Sequence, residues 1–161
     1  MTSYSRQRRE DLFASIARGQ GGATKLLLEP GVLAQAQRKL EELKPRAVAE
    51  THAAINRVCL LAEGRAGSDE IFAVAHDIKG MAGAYGLTSV GMVAGAIRIY
   101  GENRPPGFEP DWSLLQLLIR TMARTFEDPD AVSPQVLATM CNEAVAKVMA
   151  REGRDIPEGV L

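Results

Sequence analysis

His76 stands in the run Ala75-His76-Asp77-Ile78-Lys79-Gly80-Met81-Ala82-Gly83-Ala84-Tyr85-Gly86. A neutral imidazole, with a reference pKa of about 6.5, is a nucleophile near neutral pH without a dedicated base. Wound as a helix at about 100° per residue, the run separates into two faces. Ile71, Val74, Ile78, Met81 and Tyr85 fall on one side. His76 lies at the centre of the other, with Lys79 and Gly80 one turn on and Gly83 two turns on. The ring therefore points to solvent on a face stripped of bulk, beside one cation. That suits a histidine touched by another macromolecule.

A lone histidine on a helix is ordinarily solvated or structural, and three features set this one apart. Glycine costs about 1 kcal/mol against alanine inside a helix, and both Gly80 and Gly83 incur that cost on the face of His76. Lys79, one turn on, has a stem long enough to bring its ammonium near an anion carried on the ring. The opposite face is consistently apolar, so His76 is not a core residue. Phe72 and Ala73 lie one turn before His76 and Asp69 two turns before it. With Gly80 and Gly83 they form the expected docking surface. Phe72 either meets an apolar partner or tucks against a neighbouring helix, since aromatics are mostly buried.

The elements that must position this face all read as helices, and no stretch shows the alternation of a strand. A first helix is expected from about Ser5 to Arg18, stopped by Gly19 and the Gly21-Gly22 pair, with a loop through Pro30-Gly31. Leu33, Ala36, Leu40, Leu43, Ala47, Ile55, Val58 and Leu61 then recur at helical spacing up to Gly64. Pro45 interrupts them; an interior proline costs about 3 kcal/mol, so a kink or two successive helices is expected. Ser68 is placed to cap the His76 helix, Gly86 to end it with a left-handed backbone, and Thr88 or Ser89 to cap the next.

In that next helix Val90, Val93, Ile97 and Tyr100 form the inner stripe, broken by Gly101 and Pro105-Pro106-Gly107. Gly91 and Gly95, four apart, predict a close helix–helix contact. Asp111 caps an apolar helix carrying Leu114, Leu115, Leu118, Met122 and Phe126. Ser133-Pro134 opens a last one (Leu137, Met140, Ala144, Val148), and the tail after Gly153 reads as frayed. The expected architecture is all-α: an antiparallel four-helix bundle with additional N- and C-terminal helices. It divides into 1–30 (helix and glycine-containing connector), 31–126 (bundle) and 127–161 (C-terminal helix and tail).

The 161 residues suffice for a core without staples. Aromatics are only 5% against 46% hydrophobic residues, so Ala, Leu and Val carry the packing. A net charge of -1 gives no ground for binding nucleic acid or an anionic membrane. Cys59 and Cys141, both in apolar helical patterns, read as buried free thiols. The start of the chain is polar and basic, and no apolar stretch has signal-peptide or transmembrane length, so a soluble cytoplasmic protein is expected. Gly19 to Lys25 lacks the Gly-Lys-[Ser/Thr] ending of a phosphate loop. The two His and two Cys lack zinc-site spacing.

His76-x-x-Lys79-Gly80, preceded by Ala75 and followed by Gly86, resembles the signature of histidine-containing phosphotransfer (HPt) domains, helical bundles that relay a phosphoryl group between receiver domains. The resemblance extends more loosely over roughly residues 31 to 126. It implies that His76 is the phosphoacceptor, through its outward Nε2, that Lys79 stabilises the phosphoryl charge, that Gly80 clears space for the receiver, and that Gly86 closes the motif. The chemistry agrees: phosphoryl transfer has a loose transition state, served by positioning and charge neutralisation. The chain is then a phosphocarrier rather than an enzyme, with no cofactor or metal of its own, the Mg²⁺ belonging to the partner. Partners are receiver domains of response regulators or hybrid histidine kinases, met by a monomer. The alternative is a helical module that binds a receiver or partner helix without transferring phosphate. A sensor-kinase phosphoacceptor region fits less well, because Lys79-Gly80 replaces what should follow His76-Asp77 and no ATP-binding pattern appears.

Overall fold

The computed structural model describes residues 30–157. Among these, every regular element is a helix: α1 (Pro30–Glu63), α2 (Ser68–Ala82), α3 (Thr88–Gly101), α4 (Trp112–Glu127) and α5 (Pro134–Arg151). The helix expected from Ser5 to Arg18 and the Gly19–Lys25 connector lie outside the described residues. The chain forms two compact units, Met1–Leu43 and Lys44–Leu161.

The first unit is described from Pro30 to Leu43, all of it helical. Pro30 starts α1 instead of belonging to a loop; its fixed φ and missing N–H suit a first helical turn. Leu33, Leu40 and Leu43, which begin the apolar recurrence at helical spacing, are exposed.

In the second unit α1 runs unbroken through Pro45. The proline sits in an exposed stretch, where carbonyls left without a donor stay in contact with water. Burial begins at Ala47 and continues through Ile55, Val58 and Ala62. Gln116 Nε2 donates to the Ala62 C=O at 2.8 Å, tying the end of α1 to α4, and His52 stacks on Phe126 with ring centroids 5.1 Å apart.

The core is organised around α3, which packs against α2, α4 and α5. Its expected stripe of Val90, Val93, Ile97 and Tyr100 is buried, together with Ala94 and Ala96. Helix α4 contributes Leu114, Leu115, Leu118, Ile119 and Met122, and is capped as expected by Asp111, whose side chain accepts from the Leu114 N–H. Helix α5 is capped by Ser133 and adds Leu137, Cys141, Val145 and Met149 to the same core. Of the expected residues of α5, Leu137 and Val148 are buried, but between them Cys141 and Val145 turn inward, leaving Met140 exposed and Ala144 half-buried.

Two expected caps do not form. Gly67, in the left-handed region at φ 65°, precedes α2, and Ser68 is already helical. Leu87 precedes α3, while the Ser89 hydroxyl donates to the Pro129 C=O at 3.2 Å. The C-terminal tail is not frayed over its described part. Arg154 Nη2 donates to the carbonyls of Tyr100 at 2.7 Å and Glu102 at 2.8 Å, and its guanidinium lies over the rings of Tyr100 and Phe108. No helix among the described residues is long and apolar enough to cross a membrane.

Candidate functional site

Helix α2 presents the expected exposed face. Its inner residues Ile71, Ala75, Ile78 and Ala82 are buried in the core, which turns His76, Asp77, Lys79 and Gly80 to solvent. Val74, Met81 and Tyr85 are half-buried at the margins. The helix ends at Ala82, one turn before Gly86. Gly86 takes φ 75°, and the turn it makes lets the Leu87 N–H donate to the Ala82 C=O at 2.9 Å.

The glycines fall into two groups by what surrounds them. A Cβ added to Gly80 or Gly83 would meet nothing within 4 Å. Neither has a positive φ, and Gly83 is helical at φ -64°. Neither packing nor backbone conformation requires glycine at these two places; Gly80 weakens the last turn of α2, while Gly83, expected inside the helix, is its C-cap and incurs no interior cost.

On α3 the reverse holds. A Cβ on Gly91 would lie 2.8 Å from the Ala82 Cβ, and one on Gly101 only 2.5 Å from Phe72 Cδ1. A Cβ on Gly95 would rest at 3.6 Å from Lys79 Cδ and Cε. The close contact expected of Gly91 and Gly95 is thus made with α2. It fixes an antiparallel register in which Ala82, Lys79 and Phe72 oppose Gly91, Gly95 and Gly101.

This register assigns roles that helical periodicity alone left out. Gly95 gives the Lys79 stem its seat, with the ammonium nitrogen 3.8 Å from where a Gly95 Cβ would stand, beside the α2–α3 seam. Arg98, between Gly95 and Gly101, is level with Ala75 and His76 and forms an ion pair with Glu102. Lys79 itself pairs with no carboxylate among the described residues. Nothing in α2 alone could have shown that α3 would supply these neighbours.

Phe72 is corrected by the structure. It is only 6% exposed, set against Gly101 and edge-to-face with Tyr100 at 6.2 Å between centroids. It is therefore no part of a docking surface; the slot opened by Gly101 draws it inward. Above it lies the Arg104 guanidinium, 4.9 Å from the ring centroid. Arg104 Nη2 donates to Asp69 Oδ1 at 2.6 Å and Nη1 to the Gly101 C=O at 2.8 Å. Asp69 and Ala73 are exposed, as expected.

The remaining candidates are quiet. Both cysteines are free, and burial is the main cause raising each thiol pKa above its ordinary value, which keeps them protonated and unreactive near neutral pH. No cluster of three or more His, Cys, Asp or Glu side chains suited to a metal occurs among the described residues. In comparisons with known proteins, no family model, no curated protein and no solved structure matches this chain.

Proposed function

We propose that the chain is a histidine phosphotransfer protein: a phosphorylated receiver aspartate donates to His76, which passes the group to a second receiver aspartate. The observation that carries this reading is the pair Gly80 and Gly83. Neither is required by packing inside the molecule, Gly80 costs α2 stability with nothing to offset it, and both lie on the face of the exposed imidazole. The arrangement of α1 to α4 as an HPt-like four-helix bundle, with α5 added, belongs to the same proposal.

The chemistry balances as follows. With the ring proton on Nδ1, the Nε2 lone pair attacks phosphorus of the aspartyl phosphate. The P–O bond to the carboxyl group breaks with its electron pair, regenerating the receiver carboxylate, and an N–P bond forms. The ring then carries a formal positive charge beside the anionic phosphoryl group. In the second transfer a carboxylate oxygen attacks phosphorus and the N–P bond returns its pair to Nε2. Positioning and charge neutralisation dominate such a step. Lys79, seated on Gly95, offsets charge on the phosphoryl oxygens. By the resemblance, Mg²⁺ sits with the receiver's own carboxylates.

Incubation with phosphorylated receivers and Mg²⁺ tests the reading. The expected result is an acid-labile label on the wild-type chain that is absent from His76→Gln. A panel of competent receivers that leaves the wild type unlabelled sinks it, and leaves the non-transferring interaction module in its place.

A further inference from the structure

The charge pair at the start of α2 lies within the footprint of any partner that reaches His76. Asp69 precedes His76 by two helical turns on the same face, a separation of about 10 Å along the axis. A standard interface covers about 800 Å² on each partner, a disc of about 16 Å radius. A body centred on His76 therefore covers Asp69 and the guanidinium bound to it.

Arg104 is a half-buried cation, firmly held. It hydrogen-bonds to Asp69 and to the Gly101 carbonyl and lies on the Phe72 ring, and Phe72 is itself pinned against Gly101 and Tyr100. A free surface arginine loses rotamer freedom when a partner binds it. Here folding has already removed that freedom, so a partner's side chain meets a preorganised group. A guanidinium has five N–H donors in a fork that matches a carboxylate. Arg104 with Ser68, Asp69, Asn103 and Pro106 lines an open, mainly polar cleft of about 520 Å³, large enough to admit a side chain.

We propose that Arg104, positioned by Asp69, is a specificity determinant of docking at His76: it accepts receivers that present an acidic side chain two helical turns from the transferred phosphoryl group. This rests on the relay reading. The receiver's carboxylate enters the cleft and takes guanidinium donors that Asp69 and Gly101 do not use. A basic side chain there meets a fixed cation inside a covered interface, where like charges suppress association.

The test compares the full chain, wild type and Arg104→Glu, with a panel of phosphorylated receivers and, separately, with phosphoramidate, a small donor that needs no docking surface. Phosphoramidate is expected to label His76 equally in both. From the receivers that serve the wild type fastest, Arg104→Glu is expected to lower transfer about tenfold or more, and a receiver with the facing acidic residue reversed to lysine should restore it. Should Arg104→Glu melt below the assay temperature, Arg104→Gln, which keeps hydrogen-bond donors without the charge, makes the same comparison. Transfer within about twofold of wild type from every receiver overturns the inference. An equal loss with phosphoramidate and receivers also overturns it, because Arg104 would then act on His76 or the fold. A wild type labelled by phosphoramidate but by no receiver overturns it together with the relay reading, whereas failure of the receiver comparison alone leaves that reading standing.

Discussion

Glycine at position 80 should have opposite effects on stability and function. Alanine there meets no neighbour and is the better helix former, so Gly80→Ala is expected to raise stability by up to about 1 kcal/mol. A denaturant midpoint shifted upward would show it. The same change narrows the approach to the imidazole, so transfer from a receiver should slow while the fold gains; leucine should block docking altogether. The histidine, lysine and glycine could be grouped from the sequence because helical periodicity alone puts them on one face. Phe72 could not be placed that way. Whether an aromatic at the edge of a face turns inward depends on what the facing helix lacks, and Gly101 becomes its neighbour only once α2 and α3 are packed. The seat that Gly95 gives Lys79 was hidden for the same reason.

The elements around the site are held by a few specific devices, and two of them give sharp expectations. Gly101→Ala would drive a Cβ into the Phe72 ring at 2.5–2.6 Å. The ring is confined by Tyr100 and Arg104, so overpacking should cost about 1–3 kcal/mol, seen as a lower thermal midpoint. Tyr100 joins three segments: its hydroxyl accepts from the Asp111 N–H at 2.7 Å and donates to Glu152 at 2.7 Å, while Arg154 covers its ring. Burial, followed by the bond to Glu152, raises its pKa above the ordinary value near 10.

A raised folded pKa means that the unfolded chain releases this proton first. The Tyr100 contribution is therefore complete below about pH 10 and declines as pH climbs toward the folded value. Denaturant midpoints followed from pH 8 to 11 should fall more steeply for wild type than for Tyr100→Phe; parallel curves would remove Tyr100 as the cause. Asp111 was readable as a cap because capping is local chemistry. The tail was not, since Arg154 draws its hydrogen bonds from α3 and the residue after it.

At the scale of the molecule, the all-helical class followed from periodicity, and the stripes of α3 and α4 were largely placed correctly. Helix α1 shows what periodicity leaves open: apolar residues at helical spacing define a face, not whether anything covers it, and Leu33, Leu40 and Leu43 remain exposed. The standing of α5 is revised. Leu137, Cys141, Val145 and Met149 belong to one core with α3, so α5 is structural to the Lys44–Leu161 unit. Removing residues 134–161 would strip α3 of one of its packing partners and Tyr100 of its contacts with Glu152 and Arg154. The truncated chain is expected to lose its cooperative thermal transition, since each large buried side chain contributes roughly 1.5–3 kcal/mol against a total of about 5–15 kcal/mol. A truncated chain that melted cooperatively near the wild-type temperature would show α5 to be an accessory.

The empty space above Gly80 and Gly83 also bears on how the chain would drift under mutation. A library retained only for folding should exchange these two glycines freely, Gly80 for better helix formers, while Gly91 and Gly101, where an added Cβ would come within 3 Å of a side chain, stay fixed. A library retained for phosphoryl relay should hold all four. The difference between the two substitution patterns would mark the area that a visiting protein covers, before any such visitor has been identified.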